Sequence, residues 1–182
     1  MRVNSDDELY RAFLSGDTAA LDTLALRYRE RLIAYLSPMI RNAEDAEDMA
    51  MEAFARILAK KPRIAEGNFR AYLYQTARHL TFRFLRKYRL EDTGFDGIDI
   101  PDCQTAEEVV LEAERSRILH QCLANMGAAE REALWLIYFE NMSYAQAARI
   151  MHVTSKKVDN LLMKGKRLLR AELEKEGITN AG

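Results

Sequence analysis

The stretch from Ser143 to Arg170 constrains the fold most strongly, because its residues predict two helices separated by a three-residue turn. Ser143 followed by Gln146 is a capping-box signature, which starts the first helix. The turn is His152-Val153-Thr154, and Thr154 is a natural N-cap for the second helix. In that helix, apolar residues and one glycine recur at steps of three and four, which predicts a buried face. The members of this face are Val158, Leu161, Leu162, Gly165, Leu168 and Leu169.

The opposite face of the second helix is basic and carries one amide. Its members are Lys156, Lys157, Asn160, Lys164 and Arg167. A short helix that supports a basic, asparagine-bearing helix is typical of the helix-turn-helix, which places its second helix in the major groove of DNA. Thr154 and Ser155 begin that helix, where backbone N–H groups favour phosphate. An ordinary helical hairpin with a solvated basic face is the alternative interpretation.

The composition favours an all-α protein. The 182 residues include only eight glycines and three prolines, and Ala, Leu, Glu and Arg are abundant. No apolar run approaches the roughly 18 residues of a membrane span, and the start, MRVNSDDELYRAF, becomes acidic too soon for a signal peptide. The two cysteines, Cys103 and Cys122, suit a reducing cytosol. We therefore expect a cytoplasmic protein with no membrane insertion of its own.

Charge divides the chain into three parts, of which the middle part is strongly acidic. Residues 1–90 hold 16 basic and 12 acidic side chains, and residues 115–182 hold 11 basic and seven acidic ones. Residues 91–114 hold nine acidic side chains and no basic one, and they include the run EDTGFDGIDIPDCQ. This pattern predicts two small helical domains for a polyanion, joined by an acidic linker. A disordered loop whose acidity only keeps it solvated is an equally open interpretation.

The first part of the chain predicts four helices, each started by a capping residue. The caps are Ser5 with Glu8, then Asp17, Asn42 and Asn68, and the first three helices are expected to end near Gly16, Pro38 and Pro62. Helical spacing predicts an inner face on the third helix made of Met49, Ala53, Phe54, Ile57 and Leu58. It predicts an inner face on the fourth made of Phe69, Tyr72, Leu73, Thr76, Ala77, Leu80 and Phe84. Tyr74 and Phe82 fit that stripe less well.

The outer face of the fourth helix is basic and lies next to aromatic residues. Its members are Arg70, Arg78, His79, Arg83, Arg86 and Lys87. Rings beside basic side chains suit single-stranded nucleic acid, because bases stack on rings while cations hold phosphates. Phe69, Tyr72 and Phe84 lie at core spacing, so packing in the core is the stronger interpretation for most of these rings.

The third helix carries a run of carboxylates, namely Glu44, Asp45, Glu47, Asp48 and Glu52. Asp48 and Glu52 have the spacing of a possible metal pair, but no Glu-x-x-His repeat completes a di-metal site. A solvated face, or a docking face for a basic partner, is the better interpretation. The sequence has no Gly-rich phosphate loop and no nucleophile elbow. We therefore expect no catalytic residue, no metal and no cofactor.

Four segments, in this order, resemble motifs of a known family. They are Ala46–Phe54 (AEDMAMEAF), Phe69–Leu80 (FRAYLYQTARHL), Arg86–Arg89 (RKYR) and Glu130–Tyr144 (EREALWLIYFENMSY). The first is similar to a motif that docks on the clamp of RNA polymerase, and the next two to a helix that reads and helps to open the minus-ten element. The last is similar to the start of a domain that reads the minus-thirty-five element. Together they resemble the extracytoplasmic-function sigma factors, the minimal two-domain class (group IV) of the sigma-70 family.

The resemblance implies a non-enzymatic adaptor that brings core RNA polymerase to promoter DNA and helps to melt the minus-ten element. The residues implied in polymerase binding are Glu47, Asp48, Glu52 and Phe54. Those implied at the minus-ten element are Asn68, Phe69, Arg78, His79, Arg83, Arg86 and Lys87. Those at the minus-thirty-five element are Thr154, Ser155, Lys156, Lys157, Asn160, Lys164 and Arg167. The family also implies an anti-sigma factor as a partner, and a linker that runs through the polymerase interior.

The chain departs from the family pattern at several positions. Met51 stands where the family usually has Gln, and Tyr72 stands where it usually has Trp. Met126-Gly127 stands where the family usually has Leu-Pro. His152 stands where the turn usually has glycine, so we expect it to take a left-handed conformation. In the recognition helix, basic residues are common where this chain has Asp159 and Leu161. Individual base contacts therefore do not carry over directly.

Two other classes of protein are open on the residues alone. A promoter-autonomous helix-turn-helix regulator, with an N-terminal dimerisation or effector domain, would bind palindromic half-sites as a dimer. The docking motif and the basic, aromatic fourth helix argue against that class, because a dimerisation domain needs neither. A helical scaffold with no role at DNA would leave both basic faces to solvent.

Overall fold

The computed structural model describes residues 5–40, 42–91, 123 and 126–175, and all regular secondary structure within them is helical. The all-α class predicted from the sequence is therefore confirmed. The chain divides into two compact units, Met1–Asp99 and Ile100–Gly182. Apart from Glu91, the acidic segment predicted as a linker, residues 91–114, lies outside the described residues.

Four helices make up the described part of the first unit. They are α1 (Asp6–Leu14), α2 (Thr18–Leu36), α3 (Ala43–Lys60) and α4 (Phe69–Glu91). Ser5 and Glu8 form the reciprocal capping box that starts α1, and the side chains of Asp17 and Asn42 accept backbone N–H bonds at the starts of α2 and α3. Gly16 follows α1 with a positive φ of 111°, which favours glycine. These predicted starts and ends are confirmed.

All four helices of the first unit contribute to its core, and α4 contacts each of the other three. Aromatic rings fill the start of this contact, since the Phe69 ring centroid lies 5.1 Å from that of Tyr10 and 6.2 Å from that of Tyr28. Tyr10 also donates a hydrogen bond to the carbonyl of Pro62 at 2.5 Å, which joins the segment before α4 to α1. Burial of each large apolar side chain contributes about 1.5–3 kcal/mol, so this cluster fixes where α4 begins.

One core assignment of the first unit is wrong, and one residue outside the predicted stripe is buried. Leu58 is 47% exposed, because the buried face of α3 includes Ile57 and the next residue is rotated by about 100° away from it. Tyr74 fits the stripe of α4 poorly in sequence, yet it is fully buried with its ring 5.0 Å from that of Tyr35. The helix contacts three others, so its buried face is wider than one stripe.

Three α-helices and one π-helix make up most of the described part of the second unit. They are α5 (Ala128–Leu134), the π-helix Trp135–Phe139, α6 (Tyr144–Met151) and α7 (Ser155–Lys175). Ser143 and Gln146 form the predicted reciprocal capping box, and Thr154 precedes α7 as predicted. The helix-turn-helix is therefore confirmed. The π-helix, in which the rings of Trp135 and Phe139 stack at 4.8 Å, has no signal in the sequence.

The apolar face of α7 packs against α5 and α6. Its buried members are Val158, Leu161, Leu162 and Gly165. Gly165 permits a close approach, because a Cβ there would lie 3.0 Å from Cδ1 of Leu134. Leu168 was expected on this face but is exposed, and Leu169 is half-buried. The reason is length, since helices of seven and eight residues cannot cover a helix of 21 residues from end to end.

His152 ends α6 in the left-handed conformation expected from the sequence, with φ of 55° and ψ of 45°. A Cβ in this conformation costs roughly 1–2 kcal/mol, whereas glycine avoids that cost and gives up about 0.4–1 kcal/mol through the freer unfolded chain. We expect His152→Gly to raise the free energy of unfolding by about 0.5–1 kcal/mol in urea titrations. His152→Ala keeps the Cβ and should give no such gain. Equal stability of the two variants would contradict the strain explanation.

Candidate nucleic-acid interface and docking face

The exposed face of α7 brings the predicted minus-thirty-five residues together. They are Thr154, Ser155, Lys156, Lys157, Asn160, Lys164 and Arg167, and each of them is exposed. The Thr154 hydroxyl accepts the backbone N–H of Lys157 at 3.2 Å, so the first residues of α7 lie at the positive end of the helix dipole. Lys156 and Asn160 are one turn apart on the same face. Such a face can hold phosphate at its N-terminal end and read base edges one turn further on.

A buried carboxylate lies behind this face. Glu130, on α5, accepts a bond from Nζ of Lys164 through Oε1 at 2.5 Å, and its side chain is only 8% exposed. The bond to Lys164 holds the pKa of the Glu130 carboxyl below its usual range, and the charge of Lys157 acts in the same direction. The sequence does not signal this pair, because its two residues are 34 positions apart and only the packing of α7 on α5 brings them together.

The outer side of α4 presents cations and rings together. The exposed basic residues are His79, Arg83, Arg86 and Lys87. The guanidinium of the half-buried Arg78 lies 4.5 Å from the ring centroid of Phe82, which is exposed. Tyr88 is also exposed, with its ring 5.8 Å from that of Phe84. Exposed rings beside cations are suited to an unstacked base and its phosphate.

Two aromatic residues of the predicted interface lie in the core instead. Phe69 is 1% exposed and its ring contacts those of Tyr10 and Tyr28, so it has no face free to stack on a base. Phe69 is therefore no longer expected to contact the minus-ten element. Asn68, which precedes it, is half-buried and remains a candidate for that contact. Phe54, which was expected at the polymerase-docking face, is 4% exposed. Its ring is therefore part of the buried face of α3 in the free protein and is not accessible to a partner.

The carboxylates of α3 form an outer face of the first unit. Asp48 and Glu52 are exposed, and Glu52 accepts a bond from Nε of Arg56, one turn later, at 3.0 Å. Glu47 accepts a bond from the guanidinium of Arg29 on α2, which ties the two helices together. Asp48 and Glu52 are therefore accessible to a basic partner, although Glu52, like Glu47, already pairs with an arginine of this chain.

Within the described ranges, no three His, Cys, Asp or Glu side chains come together as a possible metal site. In the same part of the chain, no helix is both long enough and apolar enough to cross a membrane. Cys103 and Cys122 lie outside the described residues.

Two family models match the chain, one in each unit. Residues 24–91 match sigma-70 region 2, and residues 116–169 match sigma-70 region 4. The RNA polymerase sigma-H factor of Pseudomonas aeruginosa is 29% identical over 163 residues, which cover 80% of this chain and 82% of that protein. The ECF RNA polymerase sigma factor SigM of Bacillus subtilis is 24% identical over 152 residues, which cover 83% of this chain and 93% of that protein.

Solved structures share the helical fold. The sigma factor RpoE, in its complex with the anti-sigma factor NepR from Bartonella quintana, matches with a TM-score of 0.65 at 21% identity, over 84% of this chain and 96% of that chain. CnrH, in its complex with the cytosolic domain of CnrY, matches with a TM-score of 0.62 at 20% identity, over 94% of this chain and 99% of that chain.

A four-helix unit that matches region 2, followed by a helix-turn-helix unit that matches region 4, defines a two-domain sigma factor. The chain therefore belongs to the sigma-70 family, as an extracytoplasmic-function RNA polymerase sigma factor. The match to region 2 disfavours the promoter-autonomous regulator, which has no use for that region.

Proposed function

We propose that this sigma factor reads two promoter elements, one with each unit, while it is docked on core RNA polymerase. The main support for the proposal is the exposed face of α7 that carries Lys156, Lys157 and Asn160, in a helix whose start is capped by Thr154. This face lies within the part of the chain that matches region 4. Lys156 and Lys157 contact phosphates or guanine edges of the minus-thirty-five element. Asn160 presents a bidentate amide suited to adenine, and Arg167 holds backbone phosphate farther along.

Docking on the polymerase makes two weak DNA contacts effective. Residues 1–90 and 115–182 have only a small excess of basic side chains, 16 against 12 and 11 against seven, so each unit alone makes few phosphate contacts. When Asp48 and Glu52 engage the polymerase, both units are held on one particle and the second DNA contact becomes intramolecular. Promoter recognition then needs the polymerase as well as the DNA.

Other parts of the proposal rest on the family. The acidic segment of residues 91–114 runs through the polymerase interior toward the RNA exit path, where its carboxylates mimic nucleic acid. An anti-sigma factor covers the polymerase-binding faces and holds the chain inactive, a partner of the kind that NepR is to RpoE. The protein acts in the cytoplasm as a non-enzymatic adaptor and needs no cofactor.

Arg83 tests the minus-ten part of the proposal. Cations on α4 hold the phosphates around a base that leaves the stack, which is easiest at AT-rich or flexible steps. Arg83→Ala removes one charge-assisted contact of about 1.5 kcal/mol, so open-complex formation should fall about tenfold while polymerase binding is retained. Permanganate footprinting measures this effect. A premelted bubble template should rescue Arg83→Ala but not Lys156→Ala, and a defect that the bubble leaves unchanged would exclude the melting role.

Gel filtration with and without core polymerase tests the whole proposal against the autonomous regulator. The free chain is expected to elute as a monomer and to co-elute with core polymerase at a one-to-one ratio. An autonomous regulator would elute as a dimer and would bind a palindromic duplex without polymerase. A dimer that does not associate with core polymerase would therefore contradict the proposal.

A further inference from the structure

Glu130 and Lys164 connect the inside of the second unit to its proposed DNA-facing side. Nζ of Lys164 donates to Oε1 of Glu130 at 2.5 Å, and the side chain of Lys164 is 56% exposed whereas that of Glu130 is 8% exposed. The ammonium group of Lys164 is therefore accessible to solvent, whereas the Glu130 carboxylate that pairs with it is buried. Salt screens a partly buried pair much less than an exposed one, so this pair persists where surface pairs weaken.

Gly127 makes room for the carboxylate. Gly127 directly precedes α5, and an added Cβ there would clash with Oε2 of Glu130 and lie 3.2 Å from its Cδ. The carboxylate thus folds back over the start of its own helix, into space that a side chain at position 127 would occupy. The family usually has Leu-Pro at positions 126 and 127, and a proline ring at position 127 would occupy this space.

We propose that Glu130 is a specificity-determining residue, which neutralises Lys164 and so removes one cation from the sequence-independent part of DNA binding. Phosphate contacts are made with every sequence, whereas base contacts such as that proposed for Asn160 are made with one. A neutralised Lys164 leaves the base contacts to decide where the chain binds. The inference rests on the proposed role of α7 in reading the minus-thirty-five element.

The expected effect has an unusual sign. Loss of a stabilising ion pair normally weakens a binding surface, but loss of the Glu130 charge should strengthen binding to all DNA. Each phosphate contact adds about 0.9 to the slope of log Kobs against log salt, so one released lysine tightens binding by up to about eightfold at roughly 0.1 M salt. Glu130→Gln removes the charge and keeps the shape, with an amide oxygen that still accepts from Lys164.

The experiment measures binding of the full chain to a labelled duplex of random sequence by fluorescence anisotropy over a series of salt concentrations. Glu130→Gln should bind about three- to eightfold more tightly at roughly 0.1 M salt, with a slope steeper by up to about 0.9. Gly127→Ala displaces the flexible end of Glu130 and should change affinity and slope in the same direction. Glu172→Gln is the matched control, because it removes an equal charge and a bond of 2.7 Å to Lys175, about 12 Å farther along α7, and should change neither.

Lys164→Met added to Glu130→Gln should abolish the gain in affinity. If Glu130→Gln and Gly127→Ala are folded by circular dichroism and bind the random duplex no more tightly than the wild type, the inference is overturned. Failure of the proposed function has a different signature. In that case Lys156→Ala leaves binding to the random duplex unchanged, and Asn160→Ala leaves the base preference of the polymerase-bound chain unchanged on promoter DNA, whatever Glu130→Gln does.

Discussion

Reversal of two charges on α3 is expected to remove most of the affinity for core polymerase. In the double variant Asp48→Lys/Glu52→Lys, the binding free energy should fall by roughly 1–3 kcal/mol or more, because charge pairs in a desolvated interface become like-charge contacts. Both side chains are exposed, so the four-helix core is untouched. The local cost is small, since the bond of Glu52 to Arg56 at 3.0 Å contributes about 0.2–0.5 kcal/mol and the like-charge contact that replaces it costs a similar amount. Titration of labelled chain against core polymerase measures the loss.

A matched control distinguishes docking from general electrostatics. Asp22→Lys/Glu66→Lys reverses the same number of charges in the first unit, at exposed positions on α2 and before α4. This control should bind core polymerase with the affinity of the wild type. If the α3 variant is folded by circular dichroism and binds equally well, α3 is excluded as the docking face.

Asn160→Ala is expected to change promoter choice as well as affinity. The amide is exposed on α7, one turn beyond Lys156, and a bidentate contact to adenine contributes about 1–3 kcal/mol of discrimination. The variant should lose that amount on the preferred promoter and relax the preference at a single base pair. A base-by-base scan of the minus-thirty-five element measures both effects. Retention of the wild-type preference at every position would exclude direct readout by Asn160.

Lys164→Ala provides the contrast to Asn160→Ala. A lysine that contacts phosphate should weaken all sequences alike when it is removed, with a salt slope lower by about one. The expected change in salt slope is smaller here, because the bond to Glu130 already partly neutralises Lys164 in the free chain. We therefore expect a uniform loss with a slope change of less than one, measured on the same promoter set.

Local chemistry accounts for how much of the fold is predictable. Ser5, Asp17, Asn42 and Ser143 each start a helix by satisfying N–H groups within three residues, so the sequence around each of them contains the whole interaction. The left-handed backbone of His152 was expected for another reason, because the family usually has glycine at that position of the turn. These features need no knowledge of the packed structure.

Features that depend on several packed elements were missed. Tyr74 is buried because α4 touches three helices, and spacing along one helix reports only one face. Phe69 was placed both in the core and at DNA, and only its contacts with Tyr10 and Tyr28 decide for the core. The pair of Glu130 and Lys164 requires α5 and α7 to be packed together. The exposure of most basic residues on α4 and α7 was predictable from helical period, whereas Arg70 and Arg78 are half-buried.

Run-off transcription with purified core polymerase on genomic fragments tests the central claim most directly. Addition of the chain is expected to produce transcripts from a discrete set of start sites, and Asp48→Lys/Glu52→Lys should remove most of them at a limiting concentration of the chain. The control Asp22→Lys/Glu66→Lys should transcribe from the same sites as the wild type. If a folded wild-type chain yields no new transcript while the same core polymerase is active with another sigma factor, the assignment as a promoter-specificity subunit is contradicted.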